Sequence, residues 1–159
     1  MTNEQMREAS ALLRGAGIRL HTYSILGLPQ TTVEDDLETL QFNIECRPDI
    51  ASAFIFKPYP KTELSVLAID AGLWDGNVNV DCEGPSGRCL LTLEHRAEVE
   101  MLQRLFFWTV RFPVLLPITR MLLTWARKPL FQKLLPIATR VGEALSIQQR
   151  FRDRSYHHQ

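Results

Sequence analysis

The chain has 159 residues, 45% of them hydrophobic and 23% charged, which excludes an intrinsically disordered protein and allows one domain with a substantial core. The net charge is zero, but residues 1–100 carry 8 Lys and Arg against 16 Asp and Glu, whereas residues 101–159 carry 10 against 2. The acidic N-terminal part and the basic, apolar C-terminal part indicate two modules with different surroundings.

The cysteines and the first residues favour a cytoplasmic location. Cys46, Cys82 and Cys89 are odd in number and lack the spacing of a disulfide framework, which favours a reducing compartment. The opening MTNEQMREAS is polar where a secretory signal peptide needs a basic and then an apolar segment. We therefore expect a cytoplasmic protein.

The first segment predicts a helix followed by a strand. Thr2 and Gln5 fit a capping box, in which each side chain accepts a hydrogen bond from the other residue's backbone amide. Apolar residues then recur at helical spacing until Gly15 and Gly17, which end the helix. The sequence IRLHTYSIL, residues 18–26, is rich in β-forming residues and predicts a buried strand.

A second helix, a second strand and a third helix follow. The sequence TTVE, residues 31–34, predicts another capping box, and its helix stops before Pro48. Residues 50–56, IASAFIF, predict the second strand, which KPYPKT breaks. Thr62 then caps a third helix that runs through Ala71.

The order of these elements predicts an α/β fold. The two predicted strands start at residues 18 and 50, a spacing that suits a βαβ crossover and a parallel sheet buried on both faces. Two strands alone do not form a stable parallel sheet. We therefore expect the missing strands to lie on another chain or in a longer protein, of which this chain is the C-terminal part, from a truncated or split reading frame.

The rear of the chain predicts a linker and a helical region. Residues 73–91 are rich in Gly, Asn, Asp and Pro and predict a linker loop. Residues 92–150 have a helical pattern, with breaks expected at Pro113, near Pro117 and at Pro129, and we expect residues 151–159 to form a frayed tail.

The loop after the first strand is a candidate binding site. In parallel α/β folds, ligands bind beyond the carboxyl ends of the strands, where GLPQTT and KPYPKT both fall. Gly27 would let the backbone approach a ligand closely, and the helix starting near Thr31 could receive an anion. The alternative is a strand-to-helix turn that needs glycine only for its geometry. A dinucleotide or nucleoside triphosphate site is not expected, because the GxGxxG and P-loop patterns are missing.

Three pieces of sequence carry a resemblance to a known family. AGIRLHTYSILGLPQTT, the RPD before the second strand, and PYPKTEL follow one another at residues 16–32, 47–49 and 58–64, within a similarity that covers residues 9–73. In order and spacing they resemble the later half of the catalytic barrel of radical S-adenosylmethionine enzymes, in particular the cobalamin-binding branch that includes the anaerobic magnesium-protoporphyrin cyclase type. The resemblance implies that residues 1–72 are the last part of a (β/α) barrel, with two parallel strands and flanking helices, followed by an α-helical C-terminal region.

The resemblance also implies which residues contact the cofactor. In the family, a G-x-I-x-G-x-x-E motif on the fifth barrel strand touches the adenosyl part of S-adenosylmethionine. Ile25 and Gly27 match its apolar residue and second glycine, whereas Tyr23 and Gln30 stand where the first glycine and the acid are usual. By strand alternation His21 shares a face with Tyr23 and Ile25, so it either approaches substrate or cofactor inside a barrel or packs or faces solvent.

The cluster ligands of this family are missing from the chain. The resemblance implies S-adenosylmethionine bound to a [4Fe–4S] cluster held by three thiolates in a CxxxCxxC motif, which this sequence lacks. Cys46 is expected to pack on its helix, and a metal site at Cys82 and Cys89 stays open. We expect a part of a methyltransferase-like or cyclase-like enzyme that needs the remainder of the barrel and is inactive alone. Cobalamin use, substrate and reaction type stay open.

The helical rear offers an alternative function. Residues 105–125 are long and apolar, but Arg111, Arg120 and two prolines argue against a membrane-spanning helix. Two alternatives remain: peripheral contact with anionic lipid, or packing against the barrel part. In the second case the buried residues would be Phe106, Phe107, Trp108, Phe112 and Leu115. The alternative function is that of a non-catalytic module that binds a membrane surface or a partner protein through residues 92–150; nucleic-acid binding is not expected.

Overall fold

Threonine side chains cap the first three helices of the computed structural model, which describes residues 2–77 and 91–128. Helix α1 (Asn3–Gly15) has the predicted capping box of Thr2 with Gln5. Helix α2 (Val33–Cys46) is capped by Thr32 with Asp35, and helix α3 (Glu63–Asp70) by Thr62.

The capping box predicted at residues 31–34 is wrong by one residue. Thr32 is the cap, and its hydroxyl accepts a hydrogen bond from the Asp35 N–H while the Asp35 carboxylate accepts one from the Thr32 N–H. The Thr31 hydroxyl instead donates to the carbonyl oxygen of Leu28 at 2.8 Å. Thr31 therefore closes the turn before the helix, and Thr32 starts the helix.

The predicted parallel strand pair is confirmed, with an α/β order of elements. Strand β1 (His21–Leu26) and strand β2 (Ile50–Ile55) pair in parallel, from His21 opposite Ile50 to Leu26 opposite Ile55. The Phe56 N–H continues the pairing by donating to the Leu26 carbonyl at 2.8 Å. Helix α2 makes the crossover between them.

The rear forms a helical hairpin. Helix α4 (Arg96–Arg111) is followed by a 3₁₀ turn (Pro113–Leu115) and helix α5 (Leu116–Ala126). The break at Pro113 is confirmed. The break expected near Pro117 corresponds to the start of α5 at Leu116. Pro117 itself lies in the first turn of this helix, where a missing N–H costs no helical hydrogen bond.

Several predictions concern residues outside those described. They are the break at Pro129, the frayed tail at 151–159 and most of the linker at 73–91. Within residues 2–77 and 91–128, none of the helices combines the length and the apolar character needed to cross a bilayer.

Helices α2 and α4 cover one face of the sheet and form the core with it. Leu26 from β1, Leu40 from α2 and Phe106 from α4 are each 0% exposed. Cys46 is also buried, so the expectation that it packs on its helix is confirmed. Burial of this apolar area is the main source of stability for the hairpin of α4 and α5 against the sheet.

The other face of the sheet is exposed, so the prediction of a sheet buried on both faces is wrong for this chain. Tyr23 is 68% and Ile25 55% exposed. The described residues contain two strands, which leaves one edge of each strand without a backbone partner within the described part of the chain. The burial pattern along β1 therefore alternates, with Ser24 and Leu26 facing the core.

A buried amide holds α2 on β1. The side-chain oxygen of Asn43 accepts a hydrogen bond from the Thr22 hydroxyl at 2.7 Å, and its NH₂ group donates to the Ser24 hydroxyl at 3.0 Å. Asn43 is 4% exposed, so these bonds form away from water, where an unpaired partner is costly.

We predict that Asn43→Leu destabilises the fold by about 2–3 kcal/mol, because it leaves the Thr22 and Ser24 hydroxyls without this partner. Gln41→Leu, on the exposed side of the same helix, is the matched control and should change the free energy of unfolding by about 0.5 kcal/mol or less. Urea denaturation measures both; equal effects of the two substitutions would contradict the role given to Asn43.

Candidate functional site

The exposed face of the sheet carries the largest group of accessible aromatic and polar side chains on the two strands. His21, Tyr23 and Ile25 alternate along β1 and point away from α2 and α4. Parallel pairing places Ser52 opposite Tyr23 and Phe54 opposite Ile25. The predicted sharing of one face by His21, Tyr23 and Ile25 is confirmed. We call these five residues the sheet face.

The rings of the sheet face lie nearly parallel to one another. The centroids of His21 and Tyr23 are 4.3 Å apart with 28° between the ring planes, and those of Tyr23 and Phe54 are 6.0 Å apart with 17° between them. The His21 Nε2 atom lies 2.9 Å from the Ser52 hydroxyl, and the Tyr23 hydroxyl lies 3.2 Å from His21 Nδ1. Both imidazole nitrogens are therefore hydrogen-bonded, which fixes the orientation of the ring.

This arrangement is suited to contact with a planar, partly apolar group. Parallel rings stack favourably on another π-system, and Ile25 adds apolar area beside them. The imidazole of His21 lies between the hydroxyl groups of Tyr23 and Ser52. Each of these hydroxyl groups can act as a hydrogen-bond donor or acceptor. The described residues thus provide a stacking surface with a polar end.

Gly27 ends β1 in a conformation that only glycine adopts without strain. Its φ is +67°, and its N–H donates to both carboxylate oxygens of Asp36, at 3.1 and 3.2 Å. A Cβ at this position would lie 2.9 Å from Cγ1 of Val99 in α4. Glycine is therefore needed here for the geometry of the strand-to-helix turn, and its N–H is already hydrogen-bonded to Asp36. Contact of Gly27 with an adenosyl group stays a prediction.

Asp36 is a buried carboxyl group in the first turn of α2. It is 4% exposed, and burial raises its pKa to about 6; the hydrogen bond from Gly27 opposes this rise, and the charge of Asp35 adds to it. The carboxyl group of Asp36 also lies near the N-terminus of α2, where the helix dipole favours its charged form. Asp36 is thus the acceptor that fixes the turn after β1.

A groove of about 1030 Å³ lies on the other side of this turn, between residues 30–33 and the start of α4. Its polar lining includes Gln30, His95, Glu98 and Arg127. Glu98 is 2% exposed and forms an ion pair with the Arg127 guanidinium, which raises the pKa of Arg127. The Nε2 atom of His95 is buried and has no hydrogen-bond partner in the described part of the chain.

The four residues predicted to contact the cofactor do not share one surface. Tyr23 and Ile25 lie together on the sheet face. Gln30 lines the groove, whose lining includes neither Tyr23 nor Ile25, and Gln30 has a φ of +66°. Gly27 lies between the two surfaces and faces Val99.

Sequence reasoning missed the role of Asp36. Acidic residues in a first helical turn usually face solvent and interact with the helix dipole. The signal that could have revealed Asp36 is its position, three residues after Val33 and four before Leu40, which places its carboxyl on the apolar face of the helix.

The described residues do not fit a [4Fe–4S] cluster. Among the described residues, Cys46 is a free cysteine, and it is buried. Residues 2–77 and 91–128 contain no group of three or more His, Cys, Asp or Glu side chains arranged to hold a metal ion. Cys82 and Cys89 lie outside the described residues. Tyr23 and Ile25 present an exposed ring and an exposed aliphatic chain on the sheet face.

No protein-family model, curated protein or solved structure matches this chain significantly.

We predict that Gly27→Ala destabilises the fold by about 2–4 kcal/mol, from left-handed backbone strain and the close contact with Val99. Gly17→Ala separates the two causes, because Gly17 has a φ of +71° and open space around it, and should cost about 1–2 kcal/mol. Gly15→Ala, at the end of α1 with nothing within 4 Å, should be neutral or slightly stabilising. Thermal and urea denaturation test this order; a Gly27→Ala variant as stable as wild type would contradict it.

We predict that Asp36→Asn makes stability less dependent on pH. The pKa of Asp36 is raised from 3.8 to about 6, so the folded state loses stability as pH rises through this range, by roughly 3 kcal/mol at most. An asparagine keeps an acceptor for the Gly27 N–H without a buried charge, so the variant should be at least as stable as wild type at pH 7.5 and relatively less stable at pH 4.

Asp35→Asn is the matched control for this measurement. The hydrogen bonds from the backbone N–H and then the hydroxyl of Thr32 lower the pKa of Asp35, so its contribution is present at neutral pH and is lost as pH falls. This variant should therefore lose stability at pH 7.5. Between pH 4 and pH 8, the difference in unfolding free energy from wild type should change with pH in opposite directions for the two variants. The same pH dependence of this difference in both variants would contradict the assignment.

Proposed function

We propose that this chain supplies the last part of the barrel of a radical S-adenosylmethionine enzyme and works only with the remaining strands. The observation that carries the proposal is the asymmetry of the sheet: α2 and α4 cover one face, while the face with Tyr23 and Ile25 is exposed. In a (β/α) barrel, helices cover the outer face of the strands, and the inner face holds side chains that fill the interior or reach the ligand.

The open edges of the two strands support the same proposal. In the described residues, β1 and β2 pair only with each other. A parallel pair of this size needs packing against helices or further strands to be stable, and α2 and α4 supply that packing on one face only. Neighbouring strands on both sides would satisfy the outward-facing backbone groups of β1 and β2 and would enclose the sheet face.

In the assembled barrel, Tyr23 and Ile25 would pack against the adenosyl part of the cofactor from the sheet face. The cofactor with its cluster supplies hydrogen-abstracting chemistry in enzymes of this type. His21, held by Ser52 and Tyr23, would present a hydrogen-bonded imidazole to the interior. Gly27 and Asp36 would fix the turn that ends β1, and we assign no residue of this chain to cobalamin.

The thiolate ligands of the cluster have to come from the missing strands. The sequence has no CxxxCxxC motif, and its cysteines are at positions 46, 82 and 89. The DNA upstream of the Met1 codon should therefore encode such a motif, in frame or in a neighbouring frame, about 100–150 residues earlier, which corresponds to roughly four βα units.

We predict that Ile25→Asp weakens binding of S-adenosylmethionine about tenfold or more in the assembled enzyme, because a charge replaces apolar contact area. Assembly is achieved by co-expression of this chain with the upstream polypeptide that carries the cysteine motif, and affinity is measured by equilibrium dialysis. Ile18→Asp is the matched control, since Ile18 is 54% and Ile25 55% exposed in this chain. It should leave affinity unchanged.

Two results would overturn the proposal. One is equal affinity of the Ile25→Asp and Ile18→Asp assemblies for S-adenosylmethionine. The other is a stoichiometric [4Fe–4S] absorbance from the isolated chain after anaerobic treatment with iron and sulfide, because that would place the cluster ligands in this polypeptide.

A further inference from the structure

The outer side of α4 carries aromatic and basic residues at helical spacing. Trp108 is 39% and Phe112 45% exposed, and their rings are stacked with centroids 6.3 Å apart. Arg104 lies one turn before Trp108, and the guanidinium of Arg111 lies 5.3 Å from the centroid of the Phe112 ring. Trp108 and Phe112 were expected to be buried if the hairpin packed on the barrel part, and in the described structure they are not.

The outer side of α5 continues this surface. Val114 is 77%, Ile118 48%, Met121 46% and Trp125 45% exposed, and they recur at spacings of four, three and four residues. The ammonium group of Lys128 lies 5.8 Å from the centroid of the Trp125 ring. The exposed residues Phe112 and Val114 lie in the connection between the helices, so the apolar surface continues along the chain from α4 to α5. We call it the hairpin surface.

The charge of the hairpin surface has one sign. Residues 101–128 contain five basic residues and no Asp or Glu. Arg120 pairs with Glu34 at 3.8 Å, and Arg127 forms an ion pair with Glu98. Arg104, Arg111 and Lys128 form no ion pair within the described residues, and Arg111 and Lys128 lie over the rings of Phe112 and Trp125.

The opposite side of the hairpin is held in the core. Phe106 is 0% and Leu123 2% exposed, and the hydroxyl groups of Thr109 and Thr119 form a buried hydrogen bond at 2.8 Å between the two helices. The outer side therefore is available to a partner without opening the hairpin.

We propose that the hairpin surface binds the surface of an anionic lipid bilayer. Tryptophan rings and aliphatic side chains are stable at the depth where headgroups meet acyl chains, and Lys and Arg on the same surface reach the phosphate groups. The single sign of charge among the exposed apolar residues complements such a membrane. This inference is independent of the proposed barrel function, because it depends on α4 and α5 and uses no residue of the sheet face.

The test is co-sedimentation of the full chain with phosphatidylcholine vesicles with and without phosphatidylglycerol. We expect binding to the anionic vesicles that weakens with added salt. Arg111→Glu changes the charge by two units and should lower the partition coefficient roughly thirtyfold, at about fivefold per charge. Ile118→Asp should lower it about tenfold or more by removing apolar contact. Arg19→Glu and Leu12→Asp, at exposed positions outside the hairpin, are the matched controls and should leave it unchanged.

A second measurement does not depend on the substitutions. Trp108 and Trp125 are partly exposed, whereas Trp74 is 8% exposed, so quenching by lipids brominated on the acyl chain reports on the hairpin surface. The wild-type chain should be quenched in anionic vesicles.

Three results would overturn the proposal. They are no binding of wild-type chain to anionic vesicles, equal loss of binding in the hairpin and control variants, and self-association through this surface, seen as a dimer by light scattering that Ile118→Asp makes monomeric while vesicle binding is unchanged.

Discussion

The hydrogen bond from the Gly27 N–H to the buried carboxylate of Asp36 is the constraint on which the architecture around β1 depends. It joins the end of the strand to the start of α2, while the missing Cβ of Gly27 lets Val99 of α4 pack against the turn. Three elements therefore meet at one residue with a left-handed backbone. Because burial raises the pKa of Asp36 to about 6, the buried carboxyl group is mostly ionised at neutral pH and lowers stability there. Its hydrogen bond to Gly27 nevertheless fixes the end of β1 against α2.

The sheet and the hairpin differ in what their outer sides can bind. On the sheet, three nearly parallel rings, one of them the hydrogen-bonded imidazole of His21, offer a stacking surface beside strand edges that have no strand partner within the described residues. On the hairpin, aromatic and aliphatic side chains are mixed with unpaired basic groups. The first surface is suited to stacking on a planar group, and the second to contact with an extended surface of negative charge. The core of α2, α4 and the covered face of the sheet separates the two.

The sequence predicted those features that depend on local signals. The caps at Thr2 and Thr62, the glycine after β1 and the parallel pairing follow from short-range patterns. The choice between Thr31 and Thr32 as helix cap could not be made, because it depends on which hydroxyl bonds the Leu28 carbonyl. The exposure of Tyr23 could not be predicted either, because the aromatic and aliphatic residues Tyr23 and Ile25 face outwards whereas the polar Ser24 faces the core. Of the candidate site, alternation along β1 predicted that His21, Tyr23 and Ile25 share one face. The position of Gln30 away from that face could not be predicted, because it depends on the turn at Gly27.

Within the described residues, the outer edge of β1 has no strand partner, and this affects how readily the chain aggregates. HTYSIL is six residues long, lacks proline and carries no permanently charged side chain, so it has few of the features by which native edge strands avoid pairing with identical strands. Copies in which this edge stays uncovered would be able to pair with one another edge to edge, so the tendency of the chain to aggregate depends on what covers β1.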